Sequence, residues 1–537
     1  MPETPLRRRG FLDFIEWLGN KLPEPATLFV IGAAALMVIS HVGVVQGWSV
    51  QPVTPRRAID PGTGAPGIEL VPSGDPLKAV SLLDRDGLHW AITSMVTNFV
   101  TFPPLGIILV GMLGVGVAER TGFIAALLKA FMLAVPRRLM TPTMVFLGVN
   151  ASLATDAGYI VLPPLAAALY KAAGRSPLVG IAAVFAGIAG GFNANLLITS
   201  LDPLLAGLTQ PAAQLVDPAY TVNPACNWYF MIASTFLLTF VGWWVTDRLV
   251  EPRLRTKPAD DGGPVSASAD DLAAQRLTDA EIRGLRWGSA AALLAMGLFL
   301  AAMLVPGAPL HGRVDAADPG SPLRWPAAIV PMIFIVFLVP GLAYGVVARS
   351  IRSERDVAKI MTESMVSMAP VIVLSFFAAQ FLEYFKHSNL GGMMAMRGGK
   401  ALAASGLPPE LLIVAFIGVV MLFDLLMASM SAKWMVCAPI FVPMFMLVGI
   451  SPELTQCAYR IGDSVANTIT PLNAYLIVIL AVVQKYAPRS GMGTLVSMML
   501  PYAIIFAVVW AAMLVLWMQI GAPLGPGGPL EYLPRNP

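Results

Sequence analysis

The sequence predicts an all-α polytopic membrane protein of about nine transmembrane helices plus two re-entrant helical hairpins, arranged as an inverted repeat. Three observations predict it. The 537-residue chain is 56% hydrophobic and only 12% charged, about half the charge of soluble globular chains, which carry roughly 25%. Apolar runs of around 20 residues, the length that crosses a bilayer core, recur along most of it. Two further apolar stretches are divided by polar waists that a simple crossing would not carry.

The first apolar run begins near Ala26 and ends near Val45, behind Arg7, Arg8 and Arg9. It lacks a small-residue cleavage site and reads as a crossing rather than a signal peptide. Spans are expected near 26–48, 90–117, 177–214, 226–248, 286–305, 325–348, 358–386, 452–483 and 493–519. Residues 50–87, rich in Pro, Gly and Asp, read as an exposed connection. The hydrophilic insert 250–284 links two halves. Positive clusters at the N-terminus, 135–138, 170–175, 247–257, 348–359 and 484–489 are all cytoplasmic if the chain obeys the positive-inside rule. That leaves 50–87, 306–324 and the C-terminus external.

The polar waists are "NASLATDAG" within 141–171 and "ASMSAKW" within 409–447. Each reads as the tip of a hairpin that dips into the membrane and turns back, tolerable only where protein or a water-filled cavity satisfies the backbone. "ASLATDAGYIVLPPL" (151–165) can be laid over "MSAKWMVCAPIFVPMF" (430–445), pairing Ser152 with Ser431 and Pro164 with Pro443. Each hairpin is followed by a Ser-Pro, an Ala-Asn and a break at proline. The expected organisation is a first repeat over 1–249, with its hairpin at 141–171 and a broken helix at 177–214. Region 250–324 holds a cytoplasmic linker, a linking helix and an external loop. A second repeat spans 325–520, with a hairpin at 409–447 and a broken helix at 452–483, before a tail at 521–537. Inverted repeats with broken helices meeting near the midplane are the pattern of secondary transporters.

Polar residues cluster at those breaks. In "YRIGDSVANTITP" (459–471), Arg460, Asp463 and Asn467 share one helical face. Either Arg460 and Asp463 neutralise each other and hold helices together, or they line an aqueous site. In the second case Arg460 serves a carboxylate and Asp463 a cation or proton. A charge at the bilayer centre costs roughly 2.5–3.5 kcal/mol on insertion scales, and the Thr-Ile-Thr-Pro break frees carbonyls of the kind that coordinate sodium. The break is what an ion pair alone would not need. In the first half, Asn150, Ser152, Asp156, Asn193 and Asn195 are candidate oxygen ligands for sodium, alongside Asp463 and Asn467, and Asp202 precedes Pro203 at a helix break. Ordinary interhelical hydrogen bonding is the plain alternative for any one of them. Ser431, Lys433 and Trp434 occupy the second tip, where Trp434 either stacks on an aromatic substrate or anchors at the interface. Asp424 and Glu363 are intramembrane acids without an assigned role.

Other chemistry lacks a motif. The histidines (His41, His89, His311, His387) form no H-E-x-x-H, and "RGGKA" (397–401) lacks the spacing and hydroxyl of a P-loop. Cys226, Cys437 and Cys457 suit neither a disulfide framework nor a zinc site. The net charge of +3 gives no reason to expect nucleic acid. An enzyme is not expected, and energy must come from an ion gradient unless the protein is a passive channel or a structural membrane subunit.

"SAKW" (431–434), "APIFVPM" (438–444), "YRIGDS" (459–464), "NTITPL" (467–472), "GGFNANLLITSLDPLLAG" (190–207) and "SLATDAGYIVLPPLAA" (152–167) resemble the AbgT family of p-aminobenzoyl-glutamate transporters, over nearly the whole chain. The resemblance implies a homodimer in a bacterial inner membrane, carrying p-aminobenzoyl-glutamate or p-aminobenzoate-like folate catabolites. It also implies export of sulfonamide antimetabolites by some members, driven by sodium or proton gradients, with no cofactor beyond a possible sodium ion. The family's functional positions fall on Asp202, Ser431, Trp434, Pro452, Arg460, Asp463 and Pro471. Asn473 stands where the family pattern leads one to expect an apolar residue.

Overall fold

Helices make up most of the described chain. The computed structural model describes residues 24–59, 66–154, 157–265, 276–315, 323–427 and 429–533. Arg7, Arg8, Arg9 and Asp156 lie outside the described residues.

Helix α1 (Pro25–Val45) is followed by strands β1 (Ser49–Val50), β2 (Val53–Ile59), β3 (Pro66–Pro72) and β4 (Leu77–Lys78). They pair antiparallel, β1 with β4 and β2 with β3, with Val53 opposite Pro72. The connection expected at 50–87 is thus paired into strands, while Arg56, Glu69, Gly74 and Asp75 stay exposed. Alternating apolar residues put Val50 and Val53 against Met393, Met396 and Leu447, so the ribbon docks on the helices. Next come α2 (Arg85–Thr93), α3 (Met95–Val100), α4 (Pro103–Arg120), α5 (Phe123–Leu133), α6 (Met140–Val149), α7 (Ala157–Ala172) and α8 (Pro177–Phe185). A π turn at Ala186–Gly190 extends α8, and α9 (Leu201–Ala213) and α10 (Trp228–Arg255) complete the first half. Helix α11 (Asp279–Leu304) bridges to α12 (Trp325–Val347), α13 (Glu354–His387), α14 (Leu390–Ala404), α15 (Pro409–Asp424), α16 (Met430–Leu447), α17 (Pro452–Ala466), α18 (Tyr475–Gln484) and α19 (Met492–Ile520).

Among the described residues, eight helices are long and apolar enough to cross a membrane: α1, α4, α10, α11, α12, α13, α16 and α19. The stretches 177–214 and 452–483 fall outside this set because each is interrupted. The run expected from residue 90 yields a crossing-length helix only from Pro103, because prolines 103 and 104 suit a helix's first turn and not its interior. Helix α6, with 10 residues, reaches only about 15 Å, half a bilayer core. Its counterpart in sequence, α15, has 16 residues, and the second arm of that hairpin, α16, has 18 and is long enough to cross by itself, at the upper end of the half span to short span expected of a hairpin arm.

The two halves start their interrupted helices in the same way. Ser176 and Ser451 are N-caps whose hydroxyls accept from Leu178 N and Leu454 N, each with proline at the first helical position. In both halves the helix before the polar waist packs on the interrupted helix, α6 on α8 and its π turn, and α15 on α17. These crossings are close because glycines make them so. A Cβ on Gly187 would sit 2.5 Å from Val145 O and 2.9 Å from Gly148 Cα. On α17, a Cβ at Gly462 would sit 2.8 Å from Ile417 O. Gly187→Val is therefore expected to force α6 and α8 apart. The overpacking cost is about 1–3 kcal/mol or more, read as a clear drop in melting temperature of the detergent-solubilised protein. An unchanged melt would contradict this packing.

Polar contacts fix which chain segments share an end. Arg175 Nη2 bridges Asp247 Oδ1 at 2.9 Å and Glu251 Oε2 at 2.5 Å, joining the positive clusters 170–175 and 247–257. Leu293 and Leu298 of α11 are 73% and 63% exposed, an apolar surface suited to lipid. All three cysteines are buried and free.

Candidate functional site

Helix α17 is short, 15 residues, and every one of them is buried. Its polar side chains therefore have only protein to satisfy them, and a buried polar group left unpaired is costly. The helix stops at Ala466 because Pro471 supplies no N–H and disfavours helix at Thr470. The irregular segment to Ala474 is pinned by Thr470 Oγ1, which donates to Asp424 O at 3.1 Å, and by Asn473 Nδ2, which donates to Asn467 O at 3.0 Å. In the first half the helix likewise stops at the π turn and resumes at Leu201, a local distortion typical of functional positions.

The interrupted helices meet through charge. Arg460 Nη1 lies 2.8 Å from Asp202 Oδ1, with both side chains under 5% exposed. Asp202 sits in the first turn of α9, where the helix dipole favours an anion. Its other oxygen accepts from Thr199 N at 2.7 Å and Thr199 Oγ1 at 3.0 Å. Arg460 Nη2 donates to Gln456 Oε1 at 3.3 Å, and its Nε has no partner. One turn further along α17, Asp463 Oδ1 lies 2.8 Å from Lys433 Nζ, and Lys433 also contacts Asp424. These three side chains are wholly enclosed. Asn193 joins the first-half break to this centre: its Nδ2 donates to Asp463 Oδ2 at 3.1 Å and to Ser464 Oγ at 2.8 Å.

The i, i+3 spacing did place Arg460 and Asp463 on one face, but they do not neutralise each other. Each pairs with a side chain from another element. Nor do they line open water in this conformation, since Arg460 is 2% and Asp463 0% exposed. Two clefts in the surface lie elsewhere. One of about 470 Å³ is bordered by Lys129, Ile160, Pro164, Glu281 and Tyr344. An apolar one of about 160 Å³ is bordered by Ile198, Trp228, Met296 and Phe337.

Trp434 is fully buried, not interfacial. Its Nε1 donates to Thr209 Oγ1 at 3.0 Å, and its ring lies against Tyr459 with centroids 4.4 Å apart. Gln456 Nε2 donates to the same Thr209 hydroxyl at 2.8 Å. Ser431 is half-buried beside Met430, whose carbonyl accepts from Tyr459. Pro452 and Pro471 frame α17 and lie about 20 Å or more apart along it, so they shape the site without converging on it. Asn150, Ser152 and Asn195 form a separate group: Ser152 donates to Asn195 Oδ1, and Asn150 Oδ1 accepts from Leu196 N at 3.2 Å. Glu363 is no part of either group. It is 44% exposed and pairs with Arg120 at 3.0 Å, because α13 carries it on an outward face.

The oxygens expected to hold sodium do not converge. Those of Asn150 and Asn195 accept hydrogen bonds in the separate group, and the backbone carbonyl of Asn467, a residue 9% exposed, accepts from Asn473. Asn193 turns its N–H, not its oxygen, toward Asp463, leaving Oδ1 buried without a partner. Among the described residues, no group of three or more His, Cys, Asp or Glu could hold a metal ion. Around Asp463 the described side chains present an ammonium and an amide N–H. What sequence reading missed is the link Asp424–Lys433–Asp463 and the Thr209–Gln456–Asn227 hydrogen bonds around Arg460, with Asn227 Nδ2 2.8 Å from Gln456 Oε1. The available signal was the pair of charges Asp424 and Lys433 inside one apolar run, since such charges seek one another or a third partner.

Interrupted helices facing each other across buried ion pairs, in an otherwise apolar helical bundle, define a membrane transporter of the discontinuous-helix class. The family described as "AbgT putative transporter family" matches residues 10–532, and the chain belongs to that family. It is 36% identical over 521 residues to the p-aminobenzoyl-glutamate transport protein of Escherichia coli (strain K12), covering 96% of each. It also resembles the crystal structure of the YdaH transporter of Alcanivorax borkumensis, with a TM-score of 0.83, 37% identity, and 94% and 100% of the two chains covered. The structure of MtrF of Neisseria gonorrhoeae, described as illuminating a class of antimetabolite efflux pumps, superposes with a TM-score of 0.85 at 42% identity, covering 97% and 100%.

Proposed function

We propose that this transporter is a secondary carrier of p-aminobenzoyl-glutamate and p-aminobenzoate-type folate catabolites, and of sulfonamide antimetabolites. It is driven by a sodium or proton gradient through alternating access, and acts as a homodimer in a bacterial inner membrane. The observation that carries the reading is the Arg460–Asp202 pair buried between the two interrupted helices. A guanidinium held by one carboxylate, with an unpartnered Nε, can exchange that partner for a carboxylate of the substrate, using its planar fork of donors. The relatives' names supply the substrate class.

In this reading the mobile unit comprises two re-entrant hairpins, α6–α7 and α15–α16, with the interrupted helices and α10 and α19. The remaining helices form a scaffold. The inverted-repeat assignment is supported by the recurring order of elements: a crossing, a crossing, a short helix, a helix pair with a polar waist, an interrupted helix and a crossing. The closed surroundings of Arg460 and Asp463 correspond to an occluded state, which must open alternately to the two sides.

Counterflow in proteoliposomes tests the proposal. A carrier exchanges labelled p-aminobenzoyl-glutamate against its gradient and saturates; a channel or a purely structural subunit does neither. Asp463→Asn, which removes a charge from the last turn of α17 without changing the side chain's shape, is expected to slow exchange at least tenfold. Wild-type rates in that variant would place coupling elsewhere.

A further inference from the structure

We infer that Lys433 is the resident cation of the transport centre, standing where a carrier of this architecture would hold a sodium ion, so that Asp463 takes no sodium. This rests on the carrier reading above and narrows its coupling.

The geometry is that of an occupied cation position. The Lys433 ammonium lies between Asp424 and Asp463, 2.8 Å from the latter, and all three side chains are enclosed. The two acids come from different elements, the C-terminal residue of α15 and the last turn of α17, and the ammonium comes from the first turn of α16. One tethered cation thus joins three chain segments at the break between α15 and α16, as a bound ion would. Asn193 Nδ2 donates to Asp463 at 3.1 Å, and the Tyr459 hydroxyl, whose proton goes to Met430 O, lies 3.4 Å from it. A sodium ion there would meet the Lys433 ammonium and the Asn193 amide N–H.

Backbone carbonyls freed by the break are also engaged. Val465 O accepts from Thr468 Oγ1 at 2.7 Å, Asn467 O from Asn473 Nδ2 at 3.0 Å, and Asp424 O from Thr470 Oγ1 at 3.1 Å. These are the acceptors that interrupted helices use for sodium in other carriers. Here the chain's own hydroxyl and amide groups already bond to these three. Asn473, which departs from the apolar residue otherwise expected at its position, is one of the groups that takes them.

The test uses the full-length protein. Its melting temperature is measured in sodium, potassium and choline chloride at one ionic strength, and counterflow of labelled p-aminobenzoyl-glutamate is measured in the same media. The wild type is expected to melt within about 1 °C in all three and to exchange within about twofold. Lys433→Ala vacates a side-chain-sized space between two carboxylates, and is expected to acquire a sodium-specific rise of about 3 °C or more over potassium, as a newly bound ligand stabilises the folded state. A sodium-specific rise in the wild type, sodium-dependent exchange by the wild type, or no sodium-specific gain in Lys433→Ala each overturns the assignment. Should Lys433→Ala fail to accumulate, the wild-type measurements decide alone. Absence of exchange in every medium, with a wild-type melt indifferent to sodium, defeats the carrier reading and leaves Lys433 as the resident cation.

Discussion

Arg460→Ala is expected to abolish exchange of p-aminobenzoyl-glutamate and to destabilise the protein by about 3–5 kcal/mol, the usual cost of removing one member of a buried ion pair. Asp202 would keep its contacts with Thr199 but lose its ion-pair partner Arg460 in a nearly solvent-free setting. Gln456 would lose the Arg460 donor while keeping Asn227, so the polar network would survive in part. Two comparisons separate structure from transport. The double replacement Arg460→Met with Asp202→Leu removes both charges and is expected to recover most of the melting temperature, because neutral packing can replace a buried pair. It should recover none of the exchange. Arg460→Lys keeps the charge but not the fork, and is expected to transport poorly. A sulfonamide retains the aminophenyl ring without the glutamate carboxylates, so its exchange should fall less than that of aminobenzoyl-glutamate in Arg460→Lys. Equal losses for both substrates would remove Arg460 from carboxylate recognition.

Much of this architecture was legible because membrane insertion writes it locally. Hydropathy located the crossing helices, and prolines 177, 452 and 471 marked where helices begin or end, since proline lacks a donor wherever it stands; Pro103 was read through. The polar clusters at 190–202 and 459–471 marked the places where the two halves meet. Pairing was harder to read. Spacing alone puts Arg460 and Asp463 on one face, but it cannot say that Asp202 and Lys433, both distant in sequence or from another element, reach them first. The β-ribbon at 49–78 escaped for a related reason. Prolines and glycines in that stretch suggested a loop, while its strands are held by pairing and by apolar contact with α14 and α16. Trp434 shows the same limit. Its place at a tip left it either to stack on a substrate or to anchor at the interface, but Thr209, from α9, comes over to bond its indole.

The second large effect concerns Lys433. Lys433→Met conserves length and fills the space with an apolar side chain, leaving Asp424 and Asp463 facing each other with no cation between them. Buried like charges at this separation repel strongly at low effective dielectric, and the desolvation of each carboxylate goes uncompensated. The loss is expected to reach about 3–5 kcal/mol, comparable to Arg460→Ala, and to appear as reduced accumulation and a lower melting temperature. A double-mutant cycle identifies the cause. Asp424→Asn alone should cost less than Lys433→Met, because Lys433 keeps Asp463 at 2.8 Å. Combined with Lys433→Met it should be less damaging than the sum of the two, by at least about 1 kcal/mol, since contacting residues in one network couple by 0.5–3 kcal/mol. Asp202, which pairs with Arg460 and not with Lys433, provides the control: Asp202→Asn with Lys433→Met should be additive within roughly 0.5 kcal/mol. Additivity in the Asp424 cycle would mean that the ammonium is not shared between the two acids. Sodium should not rescue Lys433→Met as it is expected to rescue Lys433→Ala, because the thioether chain occupies the volume an ion would need. That contrast separates loss of charge from loss of space.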